Sequence, residues 1–232
     1  MSIMDNLMAI ENQLEKEGDT KRVRKAFWRI VGRIKRLDPS EKDDEVIEKA
    51  AEIRNRLFKQ KVVLSIRKGI PIFSLCAIIF FALFIWATLF LSLDILWMNI
   101  VIFLISFILL YCLYPLGRYL GGLIGHVKFD GLYRYSPGEL GLKIEYVSYL
   151  KTTRRRRKWI FGFSIIWILT FLFIELLIVV VFNPIGIWAP LFSIAFYLIF
   201  LTAIHRFSKT GELHRFIREF RIEREMSRKR KT

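Results

Sequence analysis

The sequence predicts an all-α polytopic membrane protein. It has four transmembrane helices, a helical module ahead of them and a small β element in the loop between the two helix pairs. Three observations carry that expectation. All 37 Lys and Arg fall in three segments: 17 in residues 1–69, 10 in 115–158 and 10 in 205–232. The stretches between them, 70–114 and 159–204, hold only Asp94 and Glu175 as charged residues. Those stretches also contain four cation-free runs, each near the roughly 20 residues that cross about 30 Å of hydrocarbon. A chain 54% hydrophobic and 25% charged, with net charge +16 and mean hydropathy +0.37, is thus two populations rather than one average.

Residues 1–69 read as a helical module. Ile3, Leu7, Ile10 and Leu14 recur at helical spacing and Gly18 supplies a stop, a pattern repeated by Val23, Phe27, Ile30, Ile34 and Leu37. Asp38-Pro39-Ser40-Glu41 has the form of an N-cap, a first-position proline and an acidic third position. It is expected to open a third helix presenting Val46, Ala50, Ile53 and Leu57 and running on through Val63 and Ile66.

Spans 71–93 and 95–114 are expected to form one hairpin around Ser92-Leu93-Asp94. Spans 159–182 and 184–204 form another around Asn183-Pro184-Ile185-Gly186. Pro71 and Pro184 suit first-turn positions, where the missing N–H is harmless, and Pro190 is expected to kink the fourth span. Trp86, Trp97, Trp159 and Trp188 are candidate interface anchors. The two hairpin turns carry no Lys or Arg. They are therefore expected outside, with both termini and the 115–158 loop cytoplasmic, in an integral protein of the cell membrane.

The 115–158 loop opens with Gly117, Gly121 and Gly125 just after Pro115. At four-residue spacing these glycines share a helix face and let another backbone approach, on a kinked extension of the second span. A phosphate-binding loop would need a Gly-Lys-Ser/Thr that is missing here. Asp130-Gly131 suggests a hairpin turn. Leu142, Ile144 and Tyr146, alternating with Lys143 and Glu145, suggest a half-buried strand. Arg154, Arg155, Arg156, Arg157 and Lys158 then abut the third span. They are either a topology anchor or a site for anionic lipid, an acidic protein or RNA.

In residues 205–232, Leu213, Phe216, Ile217 and Phe220 form an apolar stripe beside Arg215, Arg218, Arg221 and Arg224. The segment is either a basic amphipathic helix on the inner leaflet or a helix packed on the N-terminal ones. Residues 227–232 are expected to be disordered.

Catalytic motifs are missing: no HExxH, paired CxxC, Walker loop or Gly-x-Ser-x-Gly occurs. No two of His126, His205 and His214 share a helix turn, and neither a metal nor a cofactor is expected. Cys76 and Cys112 lie in apolar runs and read as free thiols. The polar, acidic residues 1–20 do not read as a cleavable signal peptide. Glu175 is the one acid inside an apolar span, where its charge is costly. Thr88, Asn99 and Ser193 lie at comparable depth on the other spans, so one of them is expected to hydrogen-bond it as interhelical glue.

The stretch Tyr114-Pro115-Leu116-Gly117-Arg118, followed by Tyr119-Leu120-Gly121-Gly122 and later by Lys143-Ile144-Glu145-Tyr146-Val147-Ser148-Tyr149-Leu150-Lys151, resembles part of the site-2-protease-like membrane metalloproteases. Over roughly residues 100–185 the chain looks like a degenerate relative of that family. Tyr114 stands for the first zinc-binding His, Pro115 for the general-base Glu and Arg118 for the second His. Asp130 comes too early to match the distant aspartate ligand. The resemblance therefore implies a pseudoenzyme without zinc or peptide hydrolysis.

The expected function is that of a non-enzymatic adaptor or scaffold, docking an acidic protein or membrane complex at the cytoplasmic surface. Anionic lipids, RNA or the ribosome, and a second copy of the chain are further partners that the same charge would serve. The alternative is a small oligomeric channel or transporter with Glu175 in its path. A third reading is a lipid-acting enzyme using His126, Asp130, Tyr135 or Glu139.

Overall fold

The computed structural model describes residues 2–38, 41–58, 61–136, 139–207 and 211–229, apart from the side chains of 135, 136, 139, 140 and 229. Three helices, α1 (Ile3–Glu17), α2 (Lys21–Arg36) and α3 (Asp44–Leu57), form the N-terminal module. Ser2 and Asp5 close a reciprocal capping box on α1, and the Thr20 side chain caps α2. Leu7, Val23, Phe27, Ile34, Ile47 and Ile53 are buried between the three. Their core is not closed on itself. It continues through Val127, Ile144, Tyr149, Leu150 and Phe161, so the module and the middle of the chain share one interior.

The third helix begins later and ends earlier than its sequence signals suggest. The Asp38 N–H donates to Glu41 Oε2, and the Glu41 N–H donates to the Asp38 carbonyl. The capping signature thus closes a turn of its own, and Asp43 caps α3. Pro39 and Ser40 lie outside the described residues. After Leu57 the chain does not continue helically through Val63 but forms strand β1 (Val62–Leu64).

Strands β2 (Phe129–Ser136) and β3 (Glu139–Ile144) complete an antiparallel sheet of order β1-β2-β3. Asp130-Gly131 is therefore not a hairpin turn. It sits inside β2, with Gly131 opposite Lys143. A Cβ on Gly131 would come within 2.4 Å of Val62 Cγ1 and 2.8 Å of the Leu64 carbonyl, so glycine is required there for β1 to approach. Pro137 and Gly138 lie outside the described residues. Tyr146 is not a strand residue but opens a short helix, α6 (Tyr146–Lys151).

Four helices are long and apolar enough to cross a membrane: α4 (Ile66–Phe90), α5 (Ile95–Gly125), α7 (Arg154–Phe182) and α8 (Trp188–Phe207), the last preceded by a 3-10 turn, Pro184–Gly186. Phe84, Ala87, Met98, Ile102, Val179 and Ala189 pack at one level of the bundle, and Ala77, Leu109, Cys112 and Leu113 at another. Pro71 lies inside α4 rather than in its first turn, because the helix starts at Ile66. Pro190 falls in the first turn of α8, where no N–H is needed, and α8 runs on to Phe207 without a break. The second apolar helix passes through Pro115 to Gly125 and is closed by His126 in the left-handed region, φ 54°. The two hairpin turns adjoin. Asn183 Nδ2 donates to the Thr88 carbonyl and Asn99 Nδ2 to the Ile185 carbonyl. The sheet, the N-terminal module and α9 (Glu212–Lys229) gather at the opposite, basic end. Helix α9 includes residues 227–229, expected to be disordered, and residues 230–232 lie outside the described residues.

Candidate functional site

Helix α9 carries Glu212 and Glu219 seven residues apart, two turns along one face. Both carboxylates point inward, with Phe216 and Ile222 on the same side. The apolar stripe expected from sequence is therefore rotated. Phe216 packs into the core, but Phe220 is exposed, and the ion-pairing Glu219 is more buried than any residue of that stripe. The helix turns this face inward because the cations waiting there leave a buried charge that only a carboxylate compensates.

Glu219 is the centre of a closed ionic node. Lys35 of α2 donates to its Oε1 at 2.5 Å and to the Tyr149 hydroxyl at 2.7 Å. Tyr149 donates to the same carboxylate oxygen at 2.9 Å. Arg157, with 0% of its side chain exposed, donates from Nε to Glu219 Oε2 at 3.2 Å and from a terminal nitrogen to the Lys35 carbonyl at 2.9 Å. Burial opposes ionisation of Glu219, but Lys35 and Arg157 outweigh it and hold the carboxyl at about 2. Burial pushes the Lys35 ammonium down to about 7, with Glu219 only partly restoring it. Burial, reinforced by Glu219, keeps the Tyr149 phenol protonated far above its usual range. Lys42, which donates to the Leu150 carbonyl, is lowered to about 8 by burial and by Arg157 and Arg154.

A second cluster repeats the scheme one helix over. Arg118 of α5 pairs with Glu212 Oε1 at 3.1 Å, and the Tyr114 hydroxyl donates to the same oxygen at 2.9 Å. The guanidinium groups of Arg118 and Arg215 lie 5.8 and 5.6 Å from the centroid of the Phe161 ring. Further along α9, Lys158 pairs with Glu223 at 2.6 Å and Arg36 with Glu225 at 3.4 Å. Arg154 pairs with Asp38 at 3.1 Å and also donates to the Arg36 carbonyl.

The five cations expected to meet an external anion thus divide. Arg154, Arg157 and Lys158 are committed inside the fold, and α7 starts at Arg154, so these residues are its first turns rather than a loop. Arg155 and Arg156 are exposed and have no ion-pair partner among the described residues. On α9, Arg218 lies 3.8 Å from Glu219 and is exposed, as is Arg221. Nothing in the sequence near Arg157 marks it as interior. The one available signal was the count of acids on α9, four in a segment otherwise dominated by arginine.

Glu175 is fully buried, and its partner is Ser106, whose hydroxyl donates to Oε2 at 2.5 Å. None of the three expected partners reaches it. Thr88 bonds back to the Phe84 carbonyl of its own helix. Asn99 stitches the hairpin ends by accepting from the Ala189 N–H, and the buried Ser193 hydroxyl forms no hydrogen bond among the described residues. Ser106 lies seven residues beyond Asn99 and so on the same helix face, the spacing that could have singled it out.

The three spaced glycines do meet another helix. A Cβ on Gly121 would lie 2.9 and 3.0 Å from the Trp159 and Ile160 carbonyls of α7, while Gly117 and Gly125 face the Trp167 and Ile160 side chains. Asp130 pairs with Lys143 across the sheet at 3.3 Å. The rings of His205 and His214 lie with centroids 5.7 Å apart in a tilted arrangement. Among the described residues, no three His, Cys, Asp or Glu side chains converge to hold a metal. The side chains of Tyr135 and Glu139 lie outside the described residues. Comparison with protein-family models, with curated proteins and with solved structures finds no match for this chain.

Proposed function

We propose that the protein is a non-enzymatic, multi-pass adaptor of the cell membrane that docks an acidic partner at its basic end. Both termini and the sheet then face the cytoplasm, since the Lys- and Arg-free hairpin turns lie at the other end. The observation that carries this reading is the division of its cations. Lys35, Arg118, Arg154, Arg157 and Lys158 are spent inside the fold on carboxylates. A second set, including Arg155, Arg156, Arg221 and Arg224, stands exposed with no ion-pair partner among the described residues. The internal set makes a rigid platform, and the external set gives that platform a field that draws anions.

The same division bears on the resemblance to membrane metalloproteases. Tyr114 and Arg118, at positions where that family would bind zinc, both hold Glu212, which supports a pseudoenzyme over a hydrolase. Full burial and the bond to Ser106 support a packing role for Glu175 over an ion path.

The test is purification of the full chain in mild detergent at low salt, with and without ribonuclease, followed by identification of stoichiometric companions. An acidic protein that is retained after ribonuclease, and whose recovery falls when Arg155, Arg156 and Arg221 are replaced by Ala, is the expected result. A homo-oligomer carrying only lipid overturns the adaptor reading.

A further inference from the structure

Helix α2 contains no acidic residue. Its cations are of two kinds. Lys35, Arg24 and Arg36 are engaged by Glu219, Asp19 and Glu225. Lys21, Arg22, Lys25, Arg29 and Arg33 are exposed and have no ion-pair partner among the described residues. The last four fall at i, i+3, i+7 and i+11, so they line one face of the helix over about 16 Å.

That stripe borders an open groove of about 220 Å³ between α1 and α2. Arg29 and Arg33 form one wall, Asn6 and Gln13 the other, and Ile10 and Ile30 lie between them. Of the acids of α1, Glu11 and Glu15 turn to α3, where they pair with Lys49 and Arg56, and Asp5 is held in the capping box with Ser2. Glu17, one turn beyond Gln13, forms no ion pair with the stripe among the described residues.

We propose that this groove, with the Arg22, Lys25, Arg29 and Arg33 stripe beside it, docks an acidic amphipathic helix of a partner protein. The inference rests on the adaptor reading and names the surface it uses. Charge complementarity selects an anion: four unpaired cations over about three helical turns match carboxylates repeated on one face of a partner helix. The aliphatic floor selects a polypeptide. Isoleucines flanked by Ala9 and Ala26 fit an apolar side chain entering between the two walls, whereas a phosphodiester backbone has nothing to place there.

The test uses the full chain in detergent and a synthetic amphipathic helix with Glu and Leu on opposite sides of a shared face. Two variants separate charge from shape. R29E/R33E reverses two exposed charges, and Ala9→Phe fills the groove while keeping every cation. The wild type is expected to bind the peptide with salt-sensitive affinity. R29E/R33E is expected to weaken binding roughly tenfold or more, and Ala9→Phe to weaken it several-fold, with melting temperatures unchanged. Equal binding by Ala9→Phe and wild type overturns the groove and leaves bare electrostatic adhesion. Oligouridylate or anionic phospholipid vesicles that bind more tightly than the peptide, and lose that binding in R29E/R33E, overturn the choice of partner. If a companion protein co-purifies equally with wild type and R29E/R33E, the groove fails while the adaptor reading stands. If none co-purifies while the peptide still binds the groove, the adaptor reading fails by itself.

Discussion

Glu219 joins four helices through one carboxylate: Lys35 on α2, Tyr149 on α6, Arg157 on α7 and its own α9. Removing Arg157 leaves Glu219 paired with Lys35 but strips the Lys35 carbonyl of its donor and empties a fully buried side-chain volume. Arg157→Ala is therefore expected to cost about 3 kcal/mol, read as a lowered melting temperature in detergent. Lys158→Ala, whose pair with Glu223 is more accessible, is expected to cost far less. The node also sets a pH profile. Lys35 releases its proton at about 7 when folded but keeps it to 10.5, the ordinary lysine value, when unfolded. Between those values the unfolded chain binds more protons, and stability from this site is expected to rise with pH. Glu219 acts at the other end: its contribution is full above the ordinary value of 4.5 and is lost as pH falls through about 2. Melting temperatures across pH 7–10 for wild type and Lys35→Met check the first claim. A rise of equal size in Lys35→Met would place its origin elsewhere.

Between helices, the backbones of α5 and α7 approach closely at Gly121, where an added methyl meets two carbonyls that have no rotamer to yield. Gly121→Ala is expected to destabilise by about 1–3 kcal/mol. Gly125→Ala is expected to cost less, because it meets the movable Ile160 side chain. Thermal denaturation of the two single variants side by side checks the ranking. These glycines were legible because their four-residue spacing is itself the geometry of a helix face. The four apolar helices were legible because charge and apolarity were sorted into separate stretches. Their ends were not. Helix α7 begins at Arg154 and not at Trp159 because a helix continues through cations that pair elsewhere, which apolarity alone does not register. Strand β1 was missed because three residues, Val62, Val63 and Leu64, carry no alternation long enough to read. Asp130-Gly131 was misread as a turn because the dipeptide is the same whether glycine serves a bend or the approach of a neighbouring strand.

At the scale of the molecule, the apolar bundle and the basic end divide the chain as its cation distribution does, but the ionic node was invisible in sequence. Its partners are far apart: 184 residues separate Lys35 from Glu219, and 62 separate Arg157 from it. No local pattern couples such positions, so a run of arginines read as surface although Arg154 and Arg157 are committed inside the fold. Orientation has a direct check. In a chain with Cys76 and Cys112 replaced, cysteines placed at Ser92 and Ile185 are expected to react with an impermeant maleimide on intact cells, and one at Arg224 only after lysis. Reaction of all three on intact cells would contradict the proposed topology. The order of the chain also makes the ion pairs a matter of time. Synthesis delivers Arg118 and Arg157 before Glu212 and Glu219, so while the apolar helices are being placed these cations are still bare. The same guanidinium groups can therefore act first as a signal to the insertion machinery, which reads uncompensated positive charge. They become interior struts only when the last helix arrives and cancels them.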